Sequence, residues 1–167
     1  MSIIQEELTF FEDIVMEGTH RAYFEGILCV LDEPSSKPPS GSRGHNIILT
    51  KNAAVNVIDT LIGAPINYTP AWDAHNYNVS IGLITQSFIL GKFLKIRGYL
   101  SVDRYPTLVK EIKTLVKPLG LSYEIQNAHI EDMRQPIWKI TRLGSFTGVA
   151  ILLKSKAAYR SSTFELL

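Results

Sequence analysis

The clearest alternation of apolar and polar positions lies in LKIRGYLSV, residues 94–102. A period of two marks a strand with one buried face. The run SIGLITQSFIL precedes it, and Gly91-Lys92 between the two completes a β-hairpin over residues 80–102. Further strands are expected downstream in LSYEIQ, PIWKITRL and SFTGVAILL. Upstream, residues 20–32 alternate and then become continuously apolar, which predicts a strand entering the core, and HNIILT adds a short one.

Helical spacing appears twice within this β pattern. In KNAAVNVIDTLIG the apolar residues Ala54, Val57, Ile58 and Leu61 share one face. Thr50 or Asn52 can cap that helix and Gly63 ends it. In YPTLVKEIKTLVKPLG, with Asp103 and Pro106 at the start, Val109, Ile112, Leu115 and Val116 form the inner face, and Pro118 and Gly120 stop it. Residues 2–15 show near-helical spacing and predict a short helix or a detachable arm. EPSSKPPSGSRG cannot hold regular structure and is expected as an exposed, mobile loop acting as a lid or linker. PINYTPAWDAHNYN is expected as a loop rich in aromatics and amides. Strands with two interspersed helices make an α+β chain, mainly an antiparallel β-barrel with helices packed around it.

A length of 167 residues suits one domain, and 46% hydrophobic against 20% charged residues supports a buried core. The division expected is an arm over residues 1–18, a main domain over 19–160 and a tail over 161–167. A net charge of +1 leaves no basic footprint for nucleic acid. The single cysteine, Cys29, excludes an internal disulfide, fits a reducing compartment, and sits in GILCVL as a buried small hydrophobe. The acidic N-terminus lacks a signal peptide's basic region, and no run reaches about 18 apolar residues, so a soluble, cytoplasmic product without a membrane partner is expected.

Candidate chemistry is sparse. His75, one of four histidines, lies in the polar segment WDAHNYNVSIG just before a buried strand, where one ring nitrogen can stay accessible while the scaffold orients the other. Ser122 follows the helix-stopping PLG and opens the strand SYEIQ, a place both rigid and reachable. No histidine pair, cysteine cluster, phosphate loop or dinucleotide motif is present, so neither metal nor cofactor is expected. His129, Glu131 and Asp132 in AHIEDM read as a solvated loop.

Taken in order, the segments resemble a family. DAHNYNVSIGLI resembles the histidine segment of the prohead proteases of tailed phages, the capsid maturation serine proteases. FLKIRGYL resembles the strand they place next, LGLSYEI their nucleophile segment, and FTGVAILLKSKAAY their closing strand. Residues 23–159 are covered. That family is distantly similar to the herpesvirus assemblins, so a herpesvirus-protease-like fold is implied.

The resemblance implies a serine endopeptidase with Ser122 as nucleophile and His75 as base. The family's third residue sits in the closing strand, near Thr147 and Gly148 here, and neither is an acid. Thr147 could orient His75 weakly, Glu124 could substitute from the nucleophile strand, or a dyad could act alone. Lys154 and Lys156 fall where assemblins place basic residues and an oxyanion-binding backbone. The implied substrates are scaffold proteins and the N-terminal segments of the major capsid protein, cut inside the procapsid in the host cytoplasm. Some members cut after glutamate in a hydrophobic-x-Glu pattern, which Ile4-Gln5-Glu6 and Phe10-Phe11-Glu12 match, so self-processing is a further expectation. Assemblins depend on dimers, which leaves room for a homo-oligomer. The alternatives are an inactive structural component of the procapsid core with the same fold, and an unrelated β-rich binding module holding His75 and Ser122 apart.

Overall fold

The computed structural model describes residues 20–167. The arm or helix expected over residues 1–18 lies outside them. Within them the chain order is β1 (Arg21–Val30), β2 (Ile47–Leu49), α1 (Lys51–Val57), β3 (Pro65–Asn67), β4 (Gly82–Leu90), β5 (Phe93–Ser101), α2 (Pro106–Thr114), β6 (Leu119–Gln126), β7 (His129–Ile130), β8 (Trp138–Arg142), β9 (Ser145–Leu153) and β10 (Glu165–Leu166).

Seven strands form one sheet in the order β10-β1-β5-β4-β3-β9-β6, and three form a second in the order β2-β8-β7. The hairpin of β4 and β5 turns at Gly91, whose φ of 63° favours glycine. Alternation in β5 buries Leu94, Ile96 and Leu100 completely, together with Phe24 and Leu28 from β1 and Leu121 from β6.

The expectation of an antiparallel barrel is met only in part. β3 pairs with β9 in parallel, as does β2 with β8. The large sheet curls until β6 approaches β1, but no ladder joins those two strands. Residues 162–164 run between them instead. The Thr163 N–H donates to the Ile27 carbonyl, the Ile27 N–H to Thr163 Oγ1 at 3.0 Å, and the Phe164 N–H to the Leu119 carbonyl. The fully buried Ser162 hydroxyl accepts from the Leu121 N–H at 2.6 Å. The Ile27 and Leu121 carbonyl oxygens both lie 3.0 Å from it, and one takes its proton. Residues 161–167, expected from sequence as a tail, thus carry this seal and β10.

Three local expectations change. Thr50, not Asn52, caps α1, accepting from the Ala53 N–H at 3.2 Å, and the chain tightens into a 3-10 turn at Ile58–Leu61. The helix α2 stops at Thr114 with Leu115 already extended, so Val116 leaves the helical face and is 95% exposed. PIN, expected as loop, is β3, because β4 and β9 supply the backbone partners that three residues cannot specify alone.

Ser162→Ala would leave the buried Leu121 N–H unpaired and loosen the seal. A loss of about 1–3 kcal/mol is expected, read as a lower urea midpoint at unchanged slope. An unmoved midpoint would show that the hydroxyl is dispensable.

Candidate active site

Three neighbouring strands build the floor of the site. In β6, Ser122 and Glu124 are two residues apart and face one side, while Leu121 turns into the core. Across the ladder Ser122 pairs with Ala150 and Glu124 with Gly148. On the far side of β9, Ala150 pairs with Asn67 of β3. The two small residues of β9 leave space between flanking polar side chains. A Cβ at Gly148 would stand 2.5 Å from Glu124 Oε1, so the carboxylate occupies the volume that a side chain would fill. Just beyond, a bulge opposes Glu124-Ile125 to Gly148 and Phe146 and leaves Thr147 as the extra residue.

His75 comes from residues 68–81, between β3 and β4. This segment is irregular but held at many points. Trp72 is buried with φ at 56°, an unfavourable value for so bulky a side chain. Its carbonyl accepts from the Leu153 N–H, its ring stacks at a tilt on Tyr68, and its Nε1–H donates to Glu111 Oε2 at 3.3 Å. Asn67 Oδ1 accepts from the Asn76 N–H at 2.8 Å, fixing the backbone beside His75.

A continuous chain of hydrogen bonds results. His75 Nε2 lies 2.9 Å from Ser122 Oγ, and His75 Nδ1 lies 2.6 Å from Glu124 Oε2. A carboxylate only accepts, so Nδ1 carries the ring proton and Nε2 is left to accept from the serine hydroxyl. Asn67 Nδ2 donates to the same Glu124 oxygen at 2.6 Å. Glu124 and Asn67 are 8% and 1% exposed, so water competes little for these bonds. A hydroxyl backed by an imidazole, itself backed by a carboxylate, can lose its proton while attacking an electrophilic carbon.

His75 and Ser122 are therefore brought together. Both nitrogens of His75 are taken, so none is left for Thr147, which only lines the cleft. The acid sought near Gly148 stands on the neighbouring strand and reaches over that glycine. Ser122 is the fourth residue of β6 rather than its first turn, because Leu119 and Gly120 already belong to the strand. Asn67 was not singled out by sequence. Its signal is non-local, since only the pairing of β3 with β9 aligns it with Ser122. Lys156 borders a cavity beside Ser122, whereas the Lys154 N–H is engaged by the Pro118 carbonyl. Burial pushes the Cys29 thiol far above its ordinary range, which disfavours the reactive thiolate.

Two cavities meet at Ser122. The larger, about 410 Å³, has an apolar floor that includes Ile47, Trp138 and Ile140. The smaller, about 310 Å³, is bordered by Asp73 and Lys156. Pro39 and Ser40 line both. They belong to the Pro- and Ser-rich segment expected to be mobile, but the structure pins that segment at both ends. The Ser36 and Lys37 N–H groups donate to the Ala158 carbonyl, and Lys37 Nζ donates to the Ser155 carbonyl. At the other end the His45 ring stacks on Trp138, and its Nδ1 meets the Pro136 carbonyl at 2.8 Å. The segment, anchored at its ends, forms one wall of the cleft.

No family model matches the sequence, and no curated protein matches it. Among solved structures, the fold is similar to that of a KSHV protease, crystallised in complex with a hexapeptide phosphonate inhibitor, at a TM-score of 0.51 and 14% identity. The likeness covers 87% of this chain and 65% of that protease's chain, so this chain spans less than two thirds of its neighbour's length. The described residues thus have a herpesvirus-protease-like fold, mostly β, with one curled sheet and two helices.

Proposed function

We propose that this chain is a serine endopeptidase. The observation that carries the proposal is the unbroken Ser122–His75–Glu124 hydrogen-bond chain beside an open cleft, on a fold shared with a viral protease. Ser122 Oγ attacks the scissile carbonyl carbon as its proton passes to His75 Nε2. Glu124 holds the tautomer and steadies the imidazolium formed. His75 then returns the proton to the leaving amine, and water hydrolyses the acyl-enzyme with His75 again as base. The turn at Lys154–Lys156 is the segment assigned to the oxyanion, by its resemblance to assemblins and because Lys156 and Ser122 border the same cavity.

The biological setting proposed is tailed-phage procapsid maturation, with scaffold and major capsid proteins as substrates. The order of the histidine, nucleophile and closing segments supports it. Glu124 supplies the orienting acid whose absence from β9 would otherwise favour an inactive core component. Self-processing would act at Ile4-Gln5-Glu6 or Phe10-Phe11-Glu12, outside the described residues. N-terminal sequencing of the wild-type protein and of Ser122→Ala tests it: different start sites support self-cleavage, and identical ones exclude it.

A serine-directed fluorophosphonate should give one adduct, mapping to Ser122 and lost in His75→Ala. Glu124→Gln is expected to slow labelling by on the order of 10³-fold or more, as loss of an orienting carboxylate does in other triads. Wild-type protein that stays unlabelled, alone and with scaffold present, would overturn the enzymatic reading in favour of a structural role.

Gly148→Ala displaces the carboxylate without removing it. The new methyl meets the movable end of Glu124 at 2.5 Å and the Pro65 carbonyl only at 3.3 Å. Pushing the carboxylate off its two donors should lower thermal stability by about 1–3 kcal/mol without unfolding the protein, while labelling falls towards the level of Glu124→Gln. Full labelling in a folded Gly148→Ala protein would show that the Glu124–His75 contact is not needed.

A further inference from the structure

Tyr77 is an anomaly in an otherwise tightly held segment. Its neighbour Asn76 is anchored from both sides, by Asn67 Oδ1 on its N–H and by its own Oδ1 on the Asn78 N–H at 3.1 Å. The Tyr77 side chain is nevertheless 76% exposed. Its ring lies nearly parallel to the His75 imidazole, 16° between planes and 6.0 Å between centroids. It borders both cavities that meet at Ser122. A large aromatic surface is thus left to solvent at the junction of the cleft, on a backbone whose neighbouring N–H groups are both engaged. Leaving such a ring wet forfeits the free energy of burying it, a loss recovered once an occupant covers it.

Resting on the endopeptidase reading, we propose that Tyr77 is a substrate-binding residue whose ring closes over the bound peptide and caps an apolar subsite. A peptide with its reacting carbonyl at Ser122 Oγ lies where the two cavities join, and Tyr77 is wall to both. One ring face packs on the substrate and the other stays towards His75, so the occupied site excludes water from the imidazole. The floor beneath, formed by Ile47, Trp138 and Ile140, selects a bulky apolar side chain for the larger cavity. Tyr77 takes no part in proton transfer, because both His75 nitrogens are engaged elsewhere.

Two probes separate substrate binding from the chemistry of Ser122. One is a small alkyl fluorophosphonate, which fills neither cavity. The other is an equimolar mixture of hexapeptidyl diphenyl phosphonates with varied side chains. In the wild-type protein the peptide adducts should be enriched in bulky apolar side chains. Tyr77→Ala is expected to slow peptide-phosphonate labelling on the order of tenfold, with the small probe within about twofold. Tyr77→Phe keeps the ring and should leave both rates within about twofold. Unchanged peptide labelling in Tyr77→Ala, equal slowing of both probes, equal loss in Tyr77→Phe, or wild-type adducts without apolar enrichment would each overturn the assignment. Wild-type protein inert to the small probe would overturn the endopeptidase reading, and this one with it.

Discussion

One carboxylate oxygen ties the site together. Glu124 Oε2 accepts from His75 Nδ1 and from Asn67 Nδ2, each at 2.6 Å, in a setting nearly closed to water. A buried carboxylate without donors is strongly disfavoured, so the fold must bring these two groups to it. The same Asn67 side chain uses its other end on the backbone of Asn76. Through two side chains, β6, β3 and the segment of residues 68–81 are locked into one arrangement. The position of His75 is a consequence of that lock.

The lock depends on what is missing from β9. Gly148 and Ala150 have little or no side chain, and so two polar groups from the flanking strands can converge above them. A sheet position facing a site can be filled from its own strand or from a neighbour across the ladder, provided the nearer residue is small. Glu124 over Gly148 is the second solution. The bulge at Thr147 then adds local twist beside the pair.

Legibility in the sequence followed the range of the interactions involved. The β4–β5 hairpin was plain because alternation and a glycine turn are local. Ser122 and Glu124 could be placed on one face by their spacing alone. Their link to His75, 47 and 49 residues away, came from resemblance for the serine and remained one of three options for the acid. β3 reads as loop in the sequence because three residues carry no periodicity, and Asn67 has no local signal of its own. Val116 was misplaced because helical spacing in the sequence continues past the residue where the backbone has already become extended. The anchoring of residues 33–44 is illegible in the sequence for a related reason. Pro and Ser exclude regular structure, but they do not exclude anchoring by distant carbonyls such as that of Ala158.

The seal at residues 162–164 bears on how the molecule is made. Until those residues emerge from the ribosome, β1 and β6 each present an edge of unpaired backbone groups. Such edges are templates for pairing with other chains. The segment that closes the sheet thus follows in the chain both strands it joins, and a chain interrupted shortly before residue 162 combines nearly all the apolar core with two open edges. Such a truncated product would carry the edge-to-edge pairing hazard that the complete sheet avoids.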